Sequence, residues 1–213
     1  METQESPNYI RVTGSSATYI EPDIAVILFA VSRIKPHPRE AFHEVREASQ
    51  RVQAFFAEAP IEDAGASKVS LHKERELSRE NVQILNYRAR VDFRLVLRDL
   101  SQMEAILIGL VDTGIESIQS VDFQSSRTAE IQNNTRRQAL GNAREKATIY
   151  CEAANVDLGG IFRIEDLSQE QAATHLRRGM YVGGTSAAPA FDPGSLVVKN
   201  SVAVTFRIHE RSV

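Results

Sequence analysis

Cysteine is almost absent from this sequence, and its scarcity removes two classes of site. Cys151 is the one cysteine among 213 residues, so the chain has neither an intrachain disulfide nor a multi-cysteine metal site. The five histidines lack the His-x-x-x-His spacing that places two ligands on one helix face; they are His37, His43, His72, His175 and His209. We therefore expect no metal and no cofactor. We expect Cys151 to be buried as a small hydrophobe in an apolar helix.

An excess of one charge and long apolar runs are also missing. Lys and Arg number 25 against 28 Asp and Glu, and the net charge of -3 gives no overall field that would attract nucleic acid. The longest apolar runs, 25–31 and 105–111, are far shorter than the roughly 20 residues of a membrane-spanning helix. We therefore expect a soluble chain with no nucleic-acid partner and no membrane span.

The opening segment lacks the features of an export signal. Residues 1–8 are polar and acidic, without a basic start or an apolar stretch. This composition predicts a cytoplasmic protein as the sequence stands. A periplasmic or envelope-associated location is the alternative, if a leader has been removed.

Motifs of catalysis and of phosphate binding are lacking as well. The glycine-rich stretch 183–186 has no lysine and no predicted helix after it, which is typical of a flexible loop. Ser15 and Ser16 lie beside Gly14 but outside a Gly-x-Ser-x-Gly turn. We therefore predict that the chain is not an enzyme. A less favoured hypothesis is an enzyme with a dispersed site, which would use a carboxylate such as Asp23 or Asp92.

What the sequence does contain is a clear succession of strand and helix patterns. Apolar residues that alternate predict strands, and apolar residues at helical spacing predict helices. Strands are expected at 9–20, 24–34, 69–77, 85–97, 118–123, 161–165 and 197–208. Helices are expected at 39–58, at about 100–111 with Asp99 or Ser101 as its cap, and at 129–154. The last helix carries a seam of mostly small residues expected on one side, formed by Ala139, Ala143, Ala147, Tyr150 and Ala154.

The order of these elements predicts an α+β fold, with helices packed on a mixed or antiparallel sheet. Between residues 24 and 124 the order is strand, helix, strand, strand, helix, strand, which is the ferredoxin-like split βαβ pattern. We expect a single domain 1–213, with a ββαββαβ core at 9–126 followed by a helix and two strands at 127–209. Gly, Ala, Ser and Pro accumulate in 168–194, which predicts a mobile arm.

The most regular strand, 85–97, places apolar residues on one face and arginines on the other. Phe93 lies at the centre of the apolar face and is expected to be a core residue. The candidate anion-binding residues share the polar face and are Arg88, Arg90, Arg94 and Arg98. Glu74 and Glu76 on the preceding strand offer cross-strand ion pairs. A solvated, structural face is therefore the favoured interpretation, and an anion site is the alternative.

Several segments together resemble the SIMPL-domain family. They are Ile10-Arg11-Val12-Thr13-Gly14, Pro22-Asp23-Ile24-Ala25, Tyr87-Arg88-Ala89, the strand 118–123, the alanine-rich helix 139–154, Leu158-Gly159, Pro193-Gly194 and Val202-Ala203-Val204-Thr205-Phe206. Asn86 stands where the family's Gly-Tyr-Arg-Ala strand has glycine. The resemblance covers nearly the whole chain. It implies a bacterial protein of a type that is often exported, tends to self-assemble, is loosely linked to oxidative stress and has no established catalytic residues.

The leading functional hypothesis is a non-enzymatic scaffold or interaction protein that forms a homo-oligomer. Its basis is that the chain has patterned packing surfaces and a long arm, whereas no reactive groups converge in the sequence. The alternative is a module that binds a small anionic or amphipathic ligand through the arginine strand. The sequence identifies no particular protein partner.

Overall fold

The computed structural model of the chain describes residues 8–59, 61, 63–77, 83–168, 174–176 and 194–211. The strands are β1 Tyr9–Ile20, β2 Ile24–Lys35, β3 Asp63–Leu77, β4 Gln83–Leu97, β5 Ser117–Gln124, β6 Val156–Asp166, β7 Thr174–Leu176 and β8 Ser195–Glu210. The helices are α1 Pro38–Glu58, α2 Met103–Asp112 and α3 Thr128–Ala153. The elements divide into two compact units.

The first of these, the split βαβ unit, contains β2, α1, β3, β4, α2 and β5. Its strands lie in the order β3-β4-β2-β5, and each neighbouring pair is antiparallel. This is the spatial order of a ferredoxin-like sheet, in which each helix connects two strands that are not neighbours. The predicted α+β fold and the predicted split βαβ order are both confirmed.

The core of the split βαβ unit lies between its sheet and its two helices. Phe29 and Phe93 are 0% and 1% exposed, and their rings stack with centroids 5.3 Å apart. Phe56 of α1 packs edge-on against both rings. Phe93 is therefore a core residue, as the alternation of its strand predicts.

Strand β3 is longer than its sequence pattern predicts, since it begins at Asp63 rather than at residue 69. The added segment contains Ala64, Gly65 and Ala66, which have no apolar alternation to signal a strand. Its backbone pairs with β4 from Phe93 to Val96, with an irregularity between Ala66 and Lys68. Main-chain pairing with a neighbour, which local sequence does not record, extends the strand.

The second, the helix–sheet unit, contains β1, α3, β6, β7 and β8. Strand β8 is central, with β1 on one side and β6 and β7 on the other, all antiparallel to it. The sequence grouped β1 with the segment 9–126 that follows it, whereas the structure pairs β1 along its whole length with β8 near the chain's other end. Such a pairing depends on long-range contacts and not on local pattern.

Helix α3 packs on one face of this sheet through a stripe of small residues. Its buried side chains are Ile131, Thr135, Ala139, Ala143, Ala147 and Cys151. The expectation that Tyr150 and Ala154 continue this stripe is wrong, because both are exposed and Tyr150 is 58% so. The buried residues recur at every fourth position, so the stripe passes from Ala147 to Cys151.

Burial of Cys151 is confirmed, since the residue is 2% exposed. Burial raises the pKa of its thiol, and the negative charge of Asp157 raises the pKa further. The thiol therefore remains protonated at neutral pH, which agrees with a packing role.

The predicted mobile arm, 168–194, lies mostly outside the described residues. The structure describes Ser168, Thr174–Leu176 and Gly194. Thr174–Leu176 forms the strand β7, whose residues pair with Ser195, Leu196 and Val197 of β8. No strand was expected in this part of the sequence; the strand forms because these three residues pair with the backbone of β8. The mobility of 168–194 stays a prediction.

Candidate functional site

The arginines of β4 lie on the face of the sheet opposite the helices. The neighbours of β4 are β3 and β2, so each arginine has a residue on either side from another strand. Arg88 lies between His72 and Ile34, and Arg90 lies between Ser70 and Ser32. Arg98 lies one residue beyond the end of β4. Arg88, Arg90 and Arg94 thus lie on one face of β4, as the alternation of the sequence predicts.

Arg88 is held by two carboxylates from different parts of the unit. Its guanidinium forms a two-pronged ion pair with Glu74 of β3, in which Nη2 donates to Oε2 at 3.2 Å. Its Nη1 donates to Glu116 Oε1 at 2.8 Å and to Ser32 Oγ at 3.2 Å. The hydrogen bond to Glu74 raises the pKa of Arg88, and burial opposes this rise. The predicted cross-strand pair with Glu74 is confirmed.

Arg90 shares one of these carboxylates and binds another. Its Nε donates to Asp92 Oδ1 at 2.8 Å, and its Nη1 donates to Glu116 Oε2 at 3.4 Å. Asp92 also accepts a hydrogen bond of 3.0 Å from the amide of Gln119. Glu116 therefore bridges Arg88 and Arg90, and it joins the connection before β5 to the middle of the sheet.

Arg94 forms a separate pair at the far end of the row. Its Nη1 donates to Asp63 Oδ2 at 3.1 Å, and both side chains are about half-exposed or more. The side chain of Glu76, the other acidic partner expected from the sequence, lies outside the described residues. Sequence reasoning missed Glu116 and Asp63, since neither lies in a strand register that local pattern reveals.

The described ion pairs on this face leave its charge close to neutral. Three arginines, Arg88, Arg90 and Arg94, contact four carboxylates, those of Glu74, Glu116, Asp92 and Asp63. These carboxylates offset the positive charge of the guanidinium groups, which weakens the attraction of this face for another anion. The geometry is therefore that of a surface ion-pair network that links β3, β4 and the start of β5.

Arg90→Ala should lower the free energy of unfolding by less than about 1 kcal/mol, because partly exposed ion pairs contribute little in water. Its side chain is 29% exposed, and Glu116 keeps its second partner, Arg88. Urea denaturation of the variant and the wild type measures the difference. A loss several times larger would show that the ion pairs of Arg90 are needed to hold the network together.

Groups that would hold a metal or form a membrane helix are not found in the described part of the chain. Across residues 8–59, 63–77, 83–168 and 194–211, no three or more His, Cys, Asp or Glu side chains are placed to share a metal ion. Among the three helices described, none is long and apolar enough to cross a membrane.

Comparison with known proteins places the chain among bacterial relatives. It is 26% identical over 196 residues to the 26 kDa periplasmic immunogenic protein of Brucella melitensis, with 89% of this chain and 78% of that protein aligned. The protein of the same name from Brucella abortus matches to the same extent. The uncharacterized protein YggE of Edwardsiella ictaluri is 23% identical over 216 residues, with 97% of this chain and 89% of that protein aligned.

These relatives contradict the expected cytoplasmic location. Two of them are named as periplasmic proteins. The expectation depended on the polar character of residues 1–8 alone. Because leaders are removed from exported proteins, the composition of these residues does not decide the location.

The family resemblance of the sequence is confirmed by a match to a family profile. The profile is that of SIMPL, described as a protein of unknown function (DUF541), and it aligns with residues 10–206. The match extends from β1 through β8 and so includes both compact units. This chain belongs to the SIMPL family.

Proposed function

We propose that this chain is a non-catalytic periplasmic protein that assembles with copies of itself. The periplasmic part of the proposal rests on the names of the two Brucella relatives. The non-catalytic part is supported by the arginine face, where Asp92 and its neighbours bind one another in structural ion pairs. No specific observation favours an anion site on β4 over this arrangement.

The observation that carries self-assembly is an apolar surface beside the edge strand β5. Ile108 and Val111 of α2 are 55% and 58% exposed, and Ile118 of β5 is 36% exposed. With Leu107 and Val121 they line a groove of about 440 Å³ between helix and strand, which Glu104 and Asp112 also border. Contiguous exposed apolar side chains of this kind are typical of an interaction surface.

The strand beside this groove supports a second copy as the occupant. Among the described residues β5 pairs only with β2, so its outer edge has main-chain groups available for pairing. Antiparallel pairing of β5 with β5 of a second copy about a two-fold axis would extend the sheet and bring the apolar grooves of the two copies close to one another.

The experiment is size-exclusion chromatography with light scattering on the full chain and two variants. The wild type at micromolar concentration should have a mass of at least twice the 23.7 kDa of one chain. Ile108→Glu should shift the population to the monomer, because it places a charge in the apolar groove. Ile149→Glu is the matched control, since Ile149 of α3 is 54% exposed and lies in the other unit.

Two results would contradict the proposal in different ways. A wild-type chain that is monomeric across the concentration range would overturn self-assembly itself. An unchanged oligomer in Ile108→Glu would overturn the groove between α2 and β5 as the interface.

A further inference from the structure

A second arginine cluster lies on the helix–sheet unit, on the sheet face opposite α3. The register places Arg11 of β1 and Arg163 of β6 on either side of Thr205 of β8. Val12 and Gly14 face the helix, so Arg11 and its alternate neighbours face away from it. The side chains of Arg11 and Arg163 are 63% and 66% exposed. Two guanidinium groups therefore flank one hydroxyl on an open sheet face.

An aromatic pair borders this cluster in the next row of the sheet. Tyr9 lies opposite Arg207, and the rings of Tyr9 and Phe162 have centroids 4.6 Å apart. The guanidinium carbon of Arg207 lies 5.8 Å from the centre of the Phe162 ring. Phe162 is 53% exposed, so a ring surface remains available for stacking.

The charge of this cluster differs from that of the β4 face. Both Arg11 and Arg163 bind the same carboxylate, that of Glu165. Arg207 contacts the Phe162 ring. Among the described residues, three positive charges thus meet one negative charge, so the local excess is positive although the whole chain has a net charge of -3. The β4 face, with three arginines and four carboxylates, has no such excess.

We propose that Arg11, Arg163 and Thr205, with Phe162 beside them, bind a phosphate monoester carried on a planar ring. A phosphate monoester has a charge of about -1.5 to -2 at neutral pH and three acceptor oxygens. These oxygens can accept hydrogen bonds from two guanidinium groups and one hydroxyl. The dianion competes with the single carboxylate of Glu165 for both arginines. The planar ring stacks on the exposed part of Phe162, a ring that also contacts Tyr9 and Arg207. This site is separate from the self-assembly proposed above.

Isothermal titration of the full chain with phenyl phosphate at low ionic strength tests the site. We expect saturable binding that weakens as salt is added, because the contacts are exposed charges. Arg11→Gln and Arg163→Gln should each weaken binding by about tenfold or more. Arg90→Gln is the matched control, since its guanidinium lies in the neutralised network of β4, and it should bind as the wild type does.

The role of the Phe162 ring is tested by comparing the affinities for inorganic phosphate and phenyl phosphate. Inorganic phosphate should bind several-fold more weakly than phenyl phosphate. Phe162→Leu should reduce the affinity for phenyl phosphate to that for inorganic phosphate. Equal affinity for the two probes in the wild type would overturn the stacking role of Phe162.

Two outcomes would overturn the whole site. One is the absence of saturable binding of phenyl phosphate at millimolar concentration. The other is an equal loss in Arg90→Gln and Arg163→Gln, which would mean that the chain attracts the anion without a specific site. Each variant's melting temperature is checked first, and Arg11→Gln tests the site if Arg163→Gln does not fold.

Discussion

Phe93→Ala should lower the free energy of unfolding by about 3 to 5 kcal/mol, which is the range for removal of a buried phenylalanine. The ring is 1% exposed and stacks on Phe29 at 5.3 Å, and Phe56 packs against it at 6.1 Å. Truncation removes both the transfer free energy of the ring and its two aromatic contacts. The rigid sheet on one side limits how far the surrounding side chains can close the cavity.

Phe42→Ala is the matched control for this measurement. Phe42 lies on α1 of the same unit but is 49% exposed, so its truncation should cost much less than that of Phe93. Guanidinium denaturation followed by circular dichroism compares both variants with the wild type. Equal losses in the two variants would contradict the position of Phe93 in the core.

Gly14→Ala should destabilise the chain by about 3 kcal/mol or more, at the upper end of the range for overpacked cores. A Cβ atom at Gly14 would lie 2.0 Å from the carbonyl oxygen of Ala139 and 2.5 Å from the amide nitrogen of Ala143. Both are backbone atoms of α3, so the clash cannot be relieved by rotation of a side chain. The helix would have to move away from β1, which would open the packing along the whole alanine stripe.

Gly141→Ala tests whether this effect is specific to the contact between α3 and β1. Gly141 lies on the same helix, and a Cβ atom there would have no neighbour within 4 Å. Alanine should therefore stabilise the helix by about 0.5 to 1 kcal/mol through its higher helix propensity. Thermal unfolding of the two variants should thus shift in opposite directions. A Gly14→Ala variant as stable as the wild type would contradict the close packing of α3 on β1.

The candidate site illustrates how far local pattern reaches. Alternation along β4 showed that its arginines share one face and that Glu74 on the neighbouring strand is within reach of them. It did not show that Glu116 bridges Arg88 and Arg90, because Glu116 comes from the connection before β5 and reaches them only in the folded sheet. The cluster of Arg11, Arg163 and Thr205 was missed entirely, since its members come from three strands that are distant in the sequence.

The sequence by itself determined the α+β class, the split βαβ order and the burial of Phe93 and Cys151, because each depends on the spacing of apolar residues within one element. Only the tertiary structure decided that β1 pairs with β8, that β3 begins at Asp63 and that one arginine face is neutralised while the other has an excess of positive charge. These features depend on which strands become neighbours. The free energy of the whole fold selects which strands become neighbours, and no local sequence pattern determines this choice.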